Sequence, residues 1–113
     1  MYRLSHRAER DRAQNLHDRR AAAIAEAAGP GQDDVVALVS MTLFHQGTPI
    51  ENARRLAESL DAGRSCAWDE AGYEVLGGRV EVWFLRDAME VDRSELRALL
   101  ARIIERLEAA ESE

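Results

Sequence analysis

The chain reads as an α+β fold: a small two-layer sandwich in the order α-β-α-β-β(-β)-α, with a mostly antiparallel sheet and helices packed on one face. Three observations lead there. The last segment, "VDRSELRALLARIIERLEAA", places Leu96, Leu99, Leu100, Ile103, Ile104 and Leu107 at helical spacing. Asp92 stands before it as a cap, Glu95 completes a capping box, and Val91 with Leu96 has hydrophobic-staple spacing. The stretch "YEVLGGRVEVWFLRD" (73–87) puts two runs of β-formers around Gly77-Gly78, the pattern of a two-residue hairpin. In "TPIENARRLAESLDAG", Thr48 and Glu51 have capping-box spacing, Pro49 takes the first helical position and Gly63 follows the end.

Taken in order, residues 2–28 form a first helix with good intrinsic propensity but a thin apolar stripe, whose only large aliphatics are Leu4, Leu16 and Ile24. "GPGQDD" (29–34) breaks it. This divides the chain into an amino-terminal basic helix or arm, 1–28, and an α+β domain, 35–113. "VVALVSMTLF" (35–44), a near-continuous apolar run rich in β-branched residues, reads as a strand buried on both faces. Ile50, Ala53, Leu56, Ala57 and Leu60 then line one face of the second helix. A strand, a crossover helix and a returning strand imply a right-handed connection. Short strands over 64–87, with a turn between Asp69 and Gly72, complete a three- or four-stranded sheet covered by the last two helices.

The hairpin register sorts its side chains. With Gly77 and Gly78 as the loop, Val75 lies opposite Val80 and Tyr73 opposite Val82, and Phe84 and Trp68 extend this apolar face toward the helices. The other face carries Glu74 opposite Glu81, then Trp83, opposite Gly72, and Leu85. Like charges directly opposite are destabilising, so the glutamate pair belongs in water or against a cation. If 35–44 is a neighbouring strand, Val36, Leu38 and Phe44 join Trp83 and Leu85 in an apolar patch. Each such side chain is worth roughly 1.5–3 kcal/mol when buried. The first helix folding back, a second copy of the chain or a client would cover them, and the reading favours a dimer or partner interface.

Composition bounds the rest. The 113 residues suit one domain. Apolar residues make up 46% and aromatics only 5%, so the core is aliphatic. All 15 basic residues are arginine, as in a GC-rich bacterial genome. Residues 1–20 carry six arginines against three acids, and residues 21–113 carry nine against eighteen, giving +3 and −9 of the net −6. An acidic body disfavours nucleic acid. Arg3, Arg7, Arg10, Arg19 and Arg20 are the residues through which the arm would touch phosphate or an acidic partner. A single cysteine, Cys66, excludes an intrachain disulfide. With no apolar run near 18 residues and no apolar stretch after the initial charges, the expectation is a cytoplasmic protein without membrane contact.

No catalytic or metal constellation emerges. His6 and His17 share a helix side eleven residues apart, too far to hold one metal, and His45 has no second ligand at useful spacing. Cys66, between small residues, reads as core. "GPG" and "LGG" lack phosphate-loop spacing. Asp69, Glu70, Glu74 and Glu81 form a carboxylate cluster that reads as a solvated acidic rim rather than an acid–base pair. No cofactor is expected.

From residue 35 onward, "VVALVSMTLF", "TPIENARRLAESL", the hairpin around "GGRVEVWFLRD" and the acidic end "VDRSELRALLARIIERLEAA" give a pattern that resembles the C-terminal half of type III secretion class I chaperones and the related YbjN family. Roadblock-type dimerisation domains are similar in outline. The first resemblance implies a small acidic homodimer without enzymatic activity. For the secretion chaperones it also implies binding of an extended effector segment along apolar grooves. The expected function is therefore a non-enzymatic protein-binding module, a homodimeric chaperone or adaptor holding a partner on an apolar sheet face. The alternative is an antitoxin or nucleic-acid-associated regulator using the arginine-rich first helix.

Overall fold

A computed structural model describes residues 2–29, 31, 33–45, 47–67 and 70–111, with side chains from residue 14 onward except at position 33. The class is α+β, with four helices and a four-stranded antiparallel sheet among the described residues. The order differs from the expected one. Helices α1 (Tyr2–Ala28), α2 (Asp33–Phe44) and α3 (Pro49–Ala62) come first. Strands β1 (Cys66–Ala67), β2 (Ala71–Leu76), β3 (Arg79–Phe84) and β4 (Asp87–Asp92) form a meander, and α4 (Arg93–Glu111) closes the chain.

The main correction concerns residues 35–44, which are helical. Leu38, Val39, Thr42 and Leu43 are buried together, a stripe of helical spacing, and Ala37 and Met41 face outward. The Thr42 hydroxyl donates to the Leu38 carbonyl at 3.0 Å, which satisfies a polar group in the core. The buried Asn52 side chain donates from Nδ2 to the Leu43 carbonyl at 2.7 Å, occupying an acceptor that the helix end leaves free. A ten-residue run of apolar residues suits either a buried strand or a buried helix, and periodicity alone does not separate them. With that strand gone there is no crossover, and α3 is not a connection between parallel strands. The sheet gains β4 instead, through a second two-residue turn at Leu85-Arg86.

Both expected helix starts and the Gly63 stop are present. Thr48 caps α3, with its Oγ1 accepting from Glu51 N at 3.4 Å, and Gly63 ends it at φ 69° with its N–H donated to the Leu60 carbonyl. Asp92 caps α4, with Oδ1 accepting from Glu95 N at 3.1 Å. Ile50, Ala53, Leu56, Ala57 and Leu60 are buried, as are Leu96, Leu99, Leu100, Ile103 and Leu107; Ile104 is half-buried. The hairpin register is the expected one: Tyr73 pairs with Val82 and Val75 with Val80, and all but the half-buried Val75 are fully buried. Helices α2 and α4 pack on this apolar face, and α3 packs on both of them. Trp68 and Asp69 lie outside the described residues.

The first helix joins the core through its C-terminal half. Ile24 is fully buried, with Ala23 and Ala27 beside it. It runs antiparallel to α4: Arg20 pairs with Glu111 at 2.7 Å, while Arg102 Nε donates to the Ala27 carbonyl at 2.8 Å. The His17 ring meets Phe44, at the end of α2, with centroids 5.0 Å apart. Since α4 ends beside Arg20, the preceding turns of α1 run on past it, and the molecule extends 56 × 28 × 25 Å.

Candidate functional site: the outer face of the sheet

Alternation along β2, β3 and β4 places one set of residues away from the helices, and the strand register aligns them in three rows. Glu74, Glu81 and Glu90 face one another across three strands. On one side lies the row Gly72–Trp83–Ala88, joined by Ala67 of β1, and on the other the row Leu76–Arg79–Asp92. Glu74, Leu76, Arg79, Ala88 and Glu90 are exposed, and Glu81 and Trp83 are half-buried.

Trp83 lies over Gly72. A β-carbon added to that glycine would stand 2.7 Å from Trp83 Cζ2, 2.7 Å from the Cys66 carbonyl oxygen and 2.9 Å from Ala67 Cα. The bare backbone therefore forms the floor on which the indole rests, and the other side of the indole is the sheet's outer surface. Beside it the three carboxylates stand at interstrand spacing, about 4.8 Å per step, close enough for like-charge repulsion. Arg79 pairs with Glu90 at 2.9 Å. Among the described residues no cation is paired with Glu74 or Glu81.

The five residues expected to share an apolar patch do not share one. Val36, Leu38 and Phe44 lie on α2, on the opposite side of the sheet from Trp83. Leu38 is 5% exposed, and Val36 and Phe44 pack against the core. They are covered from within the chain because α2 is a helix folded onto the sheet. Leu85 sits in the β3–β4 turn at φ 56°, 60% exposed, with its N–H donated to the Glu70 carbonyl at 2.6 Å. Of the five, Trp83 alone keeps its expected place on the hairpin's outer face. What sequence reasoning missed is Glu90, which enters the row through β4. Its signal was the alternation of Met89 and Val91 with Ala88, Glu90 and Asp92.

Of the arm arginines, Arg20 is half-buried and engaged by Glu111, and Arg19 is exposed. The side chains of Arg3, Arg7 and Arg10 lie outside the described set, although the backbone there is helical. His45 meets Phe84 edge-on with centroids 5.4 Å apart. Cys66 is half-buried opposite Tyr73. No three His, Cys, Asp or Glu side chains among the described residues converge as metal ligands would.

A cleft of about 780 Å³ lies between the end of α3, the Gly77-Gly78 turn and the start of α4. Its two cations are already engaged. Arg93 donates from Nε to Leu60 O at 3.0 Å and from Nη1 to Gly77 O at 3.2 Å. Arg97 forms a two-pronged pair with Asp61 at 2.9 and 3.1 Å, and this hydrogen bond holds the Asp61 carboxyl below its ordinary value. These contacts tie α3, the hairpin and α4 together.

Fold and face together define a helical layer over an antiparallel meander, with one mixed acidic and aromatic face open. No protein-family model, curated protein or solved structure matches this chain. No described helix is long and apolar enough to cross a membrane.

Proposed function

We propose that this protein is a non-enzymatic protein-binding module, a cytoplasmic homodimer acting as a chaperone or adaptor, with the outer sheet face as its contact surface. One observation carries the reading: an open face on which Trp83 lies beside a row of three glutamates. A row of like charges is kept at a cost, which a cationic partner would reverse. A partly exposed indole offers the flat, amphipathic contact area favoured at interfaces. The homodimeric, client-holding habit of the secretion chaperones fits a small acidic chain of this kind. The contact surface differs from an apolar groove, being acidic and centred on Trp83.

Sedimentation velocity of the wild type and Trp83→Asp tests the proposal. The expected wild type is a dimer in the micromolar range, and the expected variant is folded, with association weakened by roughly tenfold or more, as for loss of a central aromatic anchor. A wild type that stays monomeric at high micromolar concentration would rule out the homodimer.

A further inference from the structure

We propose that the occupant of the outer sheet face is the arginine-bearing start of α1 from a second copy of this chain. This rests on the homodimer reading above and goes further by naming the segment that docks. Three observations point to it. The first is complementarity of charge: residues 1–20 carry +3, the remainder −9, and Glu74, Glu81 and Glu90 concentrate part of that negative charge in one row. The second is placement. Beyond Arg20 and His17 the helix runs on past the end of α4, so its first turns extend from the body.

The third is spacing. Arg3, Arg7 and Arg10 follow i, i+4, i+7 along a helical backbone and so share one side of it. At about 1.5 Å rise per residue, Arg3 and Arg10 are separated by about 10.5 Å along the axis. The glutamate row crosses two interstrand steps of about 4.8 Å, or about 9.6 Å from Glu74 to Glu90. A helix laid across the strands thus brings one arginine to each carboxylate. Trp83, in the adjoining row, presents an indole on which a guanidinium stacks. Every basic residue of the chain is an arginine, the cation that suits both carboxylate and indole. Reciprocal exchange of arms between two copies fills both faces and closes the assembly as a two-fold pair.

Charge reversal supplies the test. Variant one carries Arg3→Glu, Arg7→Glu and Arg10→Glu, and variant two carries Glu74→Arg, Glu81→Arg and Glu90→Arg. Circular dichroism first establishes that each is folded; Glu74→Gln, Glu81→Gln and Glu90→Gln together replace variant two if it is not. Sedimentation velocity should show a wild-type dimer that weakens roughly tenfold or more between low salt and about 0.5 M salt, since exposed ion pairs are screened. Each variant alone should lose association by at least a similar factor, whereas the neutral triple variant should lose it in part. An equimolar mixture of the two reversed variants should recover a heterodimer, because both of its contacts again join opposite charges. A wild-type dimer that responds to Trp83→Asp but changes less than about twofold in variant one overturns the docked arm and leaves the homodimer standing. A wild-type monomer overturns both. Salt-dependent binding of duplex DNA by a monomeric wild type, lost in variant one and kept in variant two, would assign the arm to nucleic acid and also overturn the proposal.

Discussion

The indole of Trp83 occupies the space that a side chain at position 72 would need. Three neighbours, Trp83 Cζ2, Cys66 O and Ala67 Cα, stand within 2.9 Å of where that β-carbon would lie, and two of them are backbone. Gly72→Ala therefore cannot be absorbed by moving the indole alone; β1 must shift as well. The expected cost is about 1–3 kcal/mol, the range for overpacking. Urea unfolding measures it, and a loss below about 0.5 kcal/mol would mean that β1 yields freely.

Ile103 is fully buried at the centre of the α4 stripe, among residues contributed by both layers. Ile103→Ala removes three methyl or methylene groups and leaves a cavity, for an expected loss of about 2–5 kcal/mol. Because domains of this size hold only about 5–15 kcal/mol in total, the variant should melt well below the wild type. An unchanged melting temperature would contradict the burial of α4.

Asn52 is buried and donates to the Leu43 carbonyl. Asn52→Leu keeps approximate volume but leaves that carbonyl without this donor, at an expected cost of about 1–3 kcal/mol. The effect should appear as a loss of helical signal from α2 in amide exchange, ahead of global unfolding. Equal protection of residues 35–44 in variant and wild type would show that the contact is incidental.

Tyr73 is fully buried, and burial is the main cause that raises its phenol above the ordinary value near 10. The unfolded chain thus releases this proton at lower pH than the folded chain. Stability from the buried neutral phenol is fully present below about pH 10 and is lost as pH climbs from there through the raised native value. In a Tyr2→Phe background the tyrosinate absorbance of Tyr73 should lag a free phenol and rise together with unfolding. An ordinary titration in the folded protein would contradict its burial.

Where local chemistry and periodicity agree, the sequence was a sufficient guide. The caps at Thr48 and Asp92, the stop at Gly63 and the turn at Gly77-Gly78 each depend on a few adjacent residues and their backbone preferences. The hairpin register followed from that turn, and with it the pairing of Glu74 with Glu81 and the place of Trp83 over Gly72. The α+β class followed from the same elements.

Residues 35–44 and 87–92 were decided elsewhere. "VVALVSMTLF" is apolar on every side, so neither period dominates. It becomes a helix because the groove between α1, α3 and the sheet buries Leu38, Val39 and Leu43 at helical spacing, and because Asn52 caps its last turn. "DAMEVD" alternates only weakly and carries three acids; it becomes a strand because β3 offers an edge with Val80 and Val82 beside Val91 and Met89. The apolar patch expected around Val36, Leu38 and Phe44 vanished with the first of these outcomes, and Glu90 completed the carboxylate row with the second. Caps, turns and one hairpin register belong to the sequence, since their energies are local. The choice of helix for one ambiguous run and strand for another belongs to the tertiary structure, since burial depends on what the rest of the chain has already built.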